Sequence, residues 1–196
     1  VAKSSVKKLN DRSNNKPLKL LSEEDWSFWI ENGYIVIKSA ITKEEANTTA
    51  NFLWEFEEKS ADDKSTWYTK ERAKMEMKEL AGTGMVEVYN NQNLWNNRQK
   101  KKIYKAFCDI WGTEKLWVTI DRANLNFPIV EGFSYKSFIH WDYDPDTKPQ
   151  NVQGVLALSD QTDENTGGFQ CIPWLFRNYD TWKLTQKKDR NKFQPS

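Results

Sequence analysis

Apolar positions along the chain fall into two textures. Up to Gly112 they recur mostly at the three- and four-residue spacing of a helical face, and beyond it they alternate with polar residues in strand fashion. In the segment LSEEDWSFWIENG, Ser22 is placed to cap and acidic residues fill the first turn. Trp26, Trp29 and Ile30 mark one face there, and Gly33 supplies the stop. YIVIK (34–38) follows as a β-branched run of strand length. Thr42 and Glu45 then form the capping box of a helix running through about Glu58, whose buried stripe would be Ala46, Thr49, Ala50, Leu53 and Trp54. Residues 59–83 are charged and weakly patterned, and MVEVY (85–89) alternates like a half-buried strand. From Leu94 to Trp111 the apolar residues keep helical spacing again, and Gly112 ends the helix.

Four strand-like stretches come next, LWVTIDRANLNFP (116–128), SYKSFIHWDYD (134–144), VQGVLALSD (152–160) and GGFQCIP (167–173), separated by Pro, Gly or Asx-rich connections. Helices first and strands after predict an α+β fold, an antiparallel sandwich or barrel with helices packed on one side. Residues 1–17 are polar, aperiodic and closed by Pro17, which predicts a flexible arm before a single domain over 18–196.

Composition narrows the class. With 196 residues there is room for one core, and ten Trp, ten Phe and seven Tyr exclude a disordered chain although 29% of residues are charged. No apolar run approaches the length of a membrane span and no signal-peptide pattern appears, so the expectation is a cytoplasmic protein without a membrane partner. Cys108 and Cys171 belong to no CxxC pair and are expected to pack as small apolar groups. The net charge of +1 hides basic ends, in 1–16 and 183–192, around a body of net charge −7. With no basic-aromatic stripe in that body, nucleic acid is discounted and the ends are expected to be solvated.

The single histidine, His140, stands in IHWDYD. Residues i and i+2 of a strand share a face, so His140 and Asp142 lie side by side, either as two ligands of one metal or as a hydrogen-bonded pair at a strand end. An imidazole with a hard carboxylate suits Fe(II) in a two-His-one-carboxylate triad. The Asp-rich DYDPD stretch also permits a divalent-metal hydrolase, although Pro145 fits a solvated turn.

Context adds a family. The ordered pieces LSEEDWSFWIENGYIVIK, GMVEVY, WVTIDRANLNFP, FIHWDYD and VQGVLALSDQTDENTGGFQCIP make the chain from Leu21 to about Phe193 resemble the phytanoyl-CoA dioxygenase-like family of Fe(II)- and 2-oxoglutarate-dependent oxygenases. The family's Pro-Gly-Ser-His-like turn here reads Pro173-Trp174-Leu175-Phe176. The resemblance implies a double-stranded β-helix, the cupin-like jelly roll, buttressed by the N-terminal helices. It implies Fe(II) held by His140 and Asp142, with 2-oxoglutarate as co-substrate and dioxygen as oxidant. A small-molecule substrate would be hydroxylated with release of succinate and CO2. An Asp at position 142 favours hydroxylation over halogenation, since halogenating relatives carry a small residue there.

The family's distal His ligand and its 2-oxoglutarate-binding Arg have no counterpart after Asp142. Arg177 and Arg190 follow the wrong local sequence and are assigned to neither role. The missing strands predict that the jelly roll is incomplete at its C-terminus and that the chain is about two-thirds of a longer enzyme. Strand direction offers further candidates toward the cofactor. Gln153 shares a face with Val155 and Ala157, its amide satisfied by co-substrate, substrate or backbone, and Asn124 shares a face with Asn126 and Arg122. Arg122 is expected to pair with Asp160 or Asp144, and Trp141, pointing opposite to His140, to serve packing. The competing reading is a non-catalytic jelly-roll module, aromatic-rich and suited to binding.

Overall fold

The computed structural model describes residues 8–69, 74–132, 139–148, 150–162 and 167–195. Among them the α-helices are α1 (Glu23–Asn32), α2 (Lys43–Phe56), α3 (Gln92–Arg98), α4 (Lys101–Trp111) and α5 (Pro173–Leu184). A short antiparallel pair joins β1 (Met85–Val86) to β2 (Ala123–Asn124), with Met85 opposite Asn124 and Val86 opposite Ala123.

The first two helices start where their side chains satisfy the free backbone donors. The Ser22 hydroxyl accepts from the Asp25 amide while the Asp25 carboxylate accepts from the Ser22 amide, and Thr42 and Glu45 repeat the exchange on α2. Gly33 ends α1 in the left-handed region at φ 74°, and a Cβ there would run into the Phe176 ring of α5. That contact, with Arg177 donating to Asn32 at 2.7 Å, seats α5 on the end of α1.

The expected stripe of α2 is its inward face, Thr49 and Leu53 fully buried and Ala46, Ala50 and Trp54 half-buried. On α1, Trp29 is buried, but Ile30 is exposed. The single helix expected over 94–111 is two, because Lys100 adopts an extended backbone (φ −57°, ψ 131°) after α3 caps at Gln99. The break falls in the polar run Asn96–Lys102, and it turns α3 onto α2: Asn97 donates to the buried Thr49 hydroxyl at 2.9 Å and Lys100 pairs with Glu45.

Leu21, Trp29 and Ile110 form the central apolar cluster, ringed by Leu9, Leu18, Trp26, Ile35, Ile37, Trp111 and Val152. Asp109 stands at its edge, 5% exposed, its carboxylate accepting the successive amides of Lys19, Leu20 and Leu21 at 2.7, 2.8 and 2.9 Å. Three charge-assisted bonds compensate the buried carboxylate and fix the chain leading into α1. Residues 8–17, expected as an arm, lie against this core. The Asn10 amide N–H donates to the Ile110 carbonyl at 2.8 Å, the Asn10 side chain accepts from the Trp29 indole at 2.7 Å, and Asn14 donates to the Gly112 carbonyl at 2.8 Å. The Asn10 and Asn14 side chains thus find indole and backbone partners, and Leu9 supplies the apolar anchor. Residues 1–7 of the arm lie outside the described residues.

A second apolar group joins α2 to β2. Trp54, Trp67 and Phe127 meet with ring centroids 5.5–5.9 Å apart, and the Lys59 ammonium sits 5.8 Å over Phe127. Residues 34–37 run without a ladder partner, as do 150–157 and 167–172, whereas helix α5 begins at Pro173. The expected strand over 134–144 lies partly outside the described residues, and so does the acidic loop over 163–166. The sheet among the described residues is limited to β1 and β2. No helix of the described residues is long and apolar enough to cross a membrane.

Candidate functional site

His140 and Asp142 are brought together. Trp141 between them is half-buried, packed edge-on to Tyr179 at 5.6 Å and tilted against Trp182 at 6.0 Å, and its amide donates to the Phe193 carbonyl at 2.9 Å. Trp141 is turned toward α5, and its two neighbours each have a side chain close to half exposed. The His140 Nε2 and Asp142 Oδ1 atoms stand 3.2 Å apart.

Downstream, the Asp-rich stretch is a capped turn. The Asp144 carboxylate accepts from the Asp146 amide at 3.0 Å, and Pro145–Thr147 form a single 3-10 turn closed by Lys148 in the left-handed region. Both carboxylates are engaged by the C-terminal region, Asp144 by Lys192 at 3.1 Å and Asp146 by Lys183 at 2.8 Å and by the Tyr179 hydroxyl at 2.8 Å. Lys183 and then Tyr179 hold the Asp146 carboxyl below the ordinary aspartate range, while burial and the bond to Asp146 push the Tyr179 phenol up. The basic C-terminal stretch, expected to be solvated, is thus folded onto the acidic turn. The opposite charges of the two stretches were the signal for this, and Pro173 at a helix start with Leu175, Tyr179 and Trp182 at helical spacing was the signal for α5.

Other candidates lie elsewhere. Asn124 is in β2, exposed with Arg122 and Asn126, while Ala123, Leu125 and Phe127 turn inward. Arg122 stands over the Tyr89 ring at 5.7 Å and donates to the Met85 sulfur at 3.1 Å, in place of the expected Asp160 or Asp144. Gln153 is exposed, as are Val155 and Ala157, whereas Val152, Leu156 and Leu158 are half-buried. The inner face of this run is the opposite parity from the expected one, because Val152 joins the Leu21–Trp29–Ile110 cluster. Cys108 is buried and burial pushes its thiol up, as an apolar packing role requires; Cys171 is exposed.

Chemically the pair offers one nitrogen and one oxygen that face each other across Trp141. Two donors about 2.1 Å from one ion and at right angles to each other stand about 3 Å apart, so the observed separation fits chelation as well as a hydrogen bond. Among the described residues no group of three His, Cys, Asp or Glu side chains is gathered to hold a metal, and His140 is the only histidine in the sequence. Compared with known proteins, the chain matches no family model, no curated protein and no solved structure.

Proposed function

We propose that the protein is an Fe(II)- and 2-oxoglutarate-dependent oxygenase, of jelly-roll architecture, that hydroxylates a small molecule. The observation that carries this reading is the 3.2 Å approach of the His140 imidazole to the Asp142 carboxylate, within reach of solvent. The resemblance of the ordered sequence pieces, from LSEEDW through GGFQCIP, supplies the context in which that pair is a ligand pair. His140 Nε2 and Asp142 Oδ1 would hold the ion. With 2-oxoglutarate and dioxygen, Fe(II) supplies the chemistry that converts a C–H bond to C–OH while 2-oxoglutarate becomes succinate and CO2. A side-chain carboxylate at position 142 keeps that coordination position occupied, which directs the reading toward hydroxylation. A reducing compartment, the cytoplasm, suits Fe(II).

A non-catalytic binding module is the second reading. The exposed rings of the C-terminal region favour it, Trp117 at 95% and Trp174 at 55%. One titration separates the two. Anaerobic addition of Fe(II) and then 2-oxoglutarate should develop a metal-to-ligand charge-transfer band in the visible, and His140→Ala and Asp142→Ala should each abolish it. A wild-type protein that takes up no Fe(II) and shows no band sinks the oxygenase reading and leaves the module.

A further inference from the structure

Trp141 lies directly between His140 and Asp142, so whatever fixes Trp141 also fixes the backbone from which both neighbours project. Trp141 is held by the Tyr179 and Trp182 rings and by its amide bond to Phe193. These partners are themselves braced. The Arg190 guanidinium donates to the Tyr179 hydroxyl at 2.9 Å and stands over the Trp182 ring at 5.1 Å, while that hydroxyl donates to Asp146 at 2.8 Å. Lys183 and Lys192 tie Asp146 and Asp144 to the same helix and tail, so the carboxylates nearest in sequence to Asp142 are already engaged by cations.

We propose that Trp141, Tyr179 and Arg190 form an aromatic and guanidinium clamp that sets the mutual orientation of His140 and Asp142. Helix α5 and residues 190–193 are then positioning elements of the metal site. The inference rests on reading His140 and Asp142 as metal donors, and it adds what makes two solvent-reached side chains a chelating pair. A free His and a free Asp each sample several rotamers, and holding both in one arrangement costs side-chain entropy at every binding event unless the backbone has already chosen their direction. Partners that orient metal ligands are typically worth 10–100-fold in metal affinity. The clamp reaches the ligands through the backbone on either side of Trp141. Its residues are positioning residues and touch no ion.

The test is a Co(II) titration of the whole chain, followed by ligand-field absorption in the visible, with far-UV circular dichroism as the check on folding. Wild type should show a Co(II) spectrum that His140→Ala abolishes. Arg190→Gln, which removes only a half-exposed guanidinium, should weaken Co(II) binding about 10-fold with its far-UV spectrum unchanged. Trp141→Ala should weaken it about 100-fold, and Trp141→Phe, which keeps a ring against Tyr179, should restore most of the loss. Should Arg190→Gln and Trp141→Ala bind Co(II) with wild-type affinity and spectrum while His140→Ala does not, the clamp is overturned and the donor pair stands. Should His140→Ala bind Co(II) as wild type does, the donor reading fails and the clamp with it.

Discussion

Of the ten buried apolar residues among those described, nine precede Gly112 and Leu175 alone follows it, whereas Trp117, Val155, Phe169 and Leu184 beyond Gly112 are 95%, 74%, 64% and 83% exposed. Both regions are rich in apolar side chains, so composition does not separate them. The difference lies in how each satisfies its backbone. A helix pairs its own amides and carbonyls and needs a neighbour only for its apolar face, which α1 and α4 find in the shared Trp29–Ile110 cluster and α2 finds against α3. A strand-patterned segment has unpaired amides until another strand lies beside it. Among the described residues after Gly112 the ladder joins Ala123 and Asn124 to β1.

Asp109→Ala should strike this contrast hardest. It removes the common acceptor of three amides at the edge of the core, and the expected loss is about 4 kcal/mol in urea denaturation followed by far-UV circular dichroism. Asp109→Asn, which keeps an acceptor oxygen, should lose less. Next is Leu53→Ala: the side chain is 2% exposed, and truncation should lower stability by about 3 kcal/mol. On the other side of Gly112, Trp117→Ser should change stability by no more than about 0.5 kcal/mol. If Trp117→Ser cost as much as Leu53→Ala, the two regions would not differ as described.

The smallest effect concerns charge. Lys100 first, and then the Thr42 amide, hold the Glu45 carboxyl below the ordinary glutamate value of 4.5. Its contribution is therefore present above that value and is lost as pH falls through the lower folded one. The urea midpoint should decline slightly between about pH 5 and about pH 3, and Glu45→Gln should flatten that slope. A slope equally steep in Glu45→Gln would assign the acid sensitivity to other carboxylates, such as Asp146 on the far side of Gly112.

What could be read from the sequence divides along the same line. Both capping boxes, the α2 stripe and the glycine stops at Gly33 and Gly112 depend on residues three to five apart, and each appears where its pattern put it. The juxtaposition of His140 and Asp142 is of the same kind, since it joins residues two apart in the chain. The inward parity of 152–158 depends on Val152 meeting Leu21, Trp29 and Ile110, far away in the chain. The order of residues 8–17 depends on Ile110 and Gly112, and the setting of Trp141 depends on a helix beginning at Pro173. No local pattern carries such information. The break before Lys100 was concealed for another reason: the apolar spacing on its two sides happens to stay in phase, and only the buried Thr49–Asn97 bond reveals why the chain turns there.

The seating of α5 on the end of α1 also has a schedule. Asn32 and Arg177 are 145 residues apart, and at about 5–20 residues per second a ribosome needs roughly 7–30 s to make the stretch between them. For that interval α1 is out and capped at Ser22, yet the ring that will close over Gly33 has not been synthesised. That step of assembly is thus timed by translation, and a pause in synthesis anywhere between the two helices lengthens the period in which the end of α1 is bare.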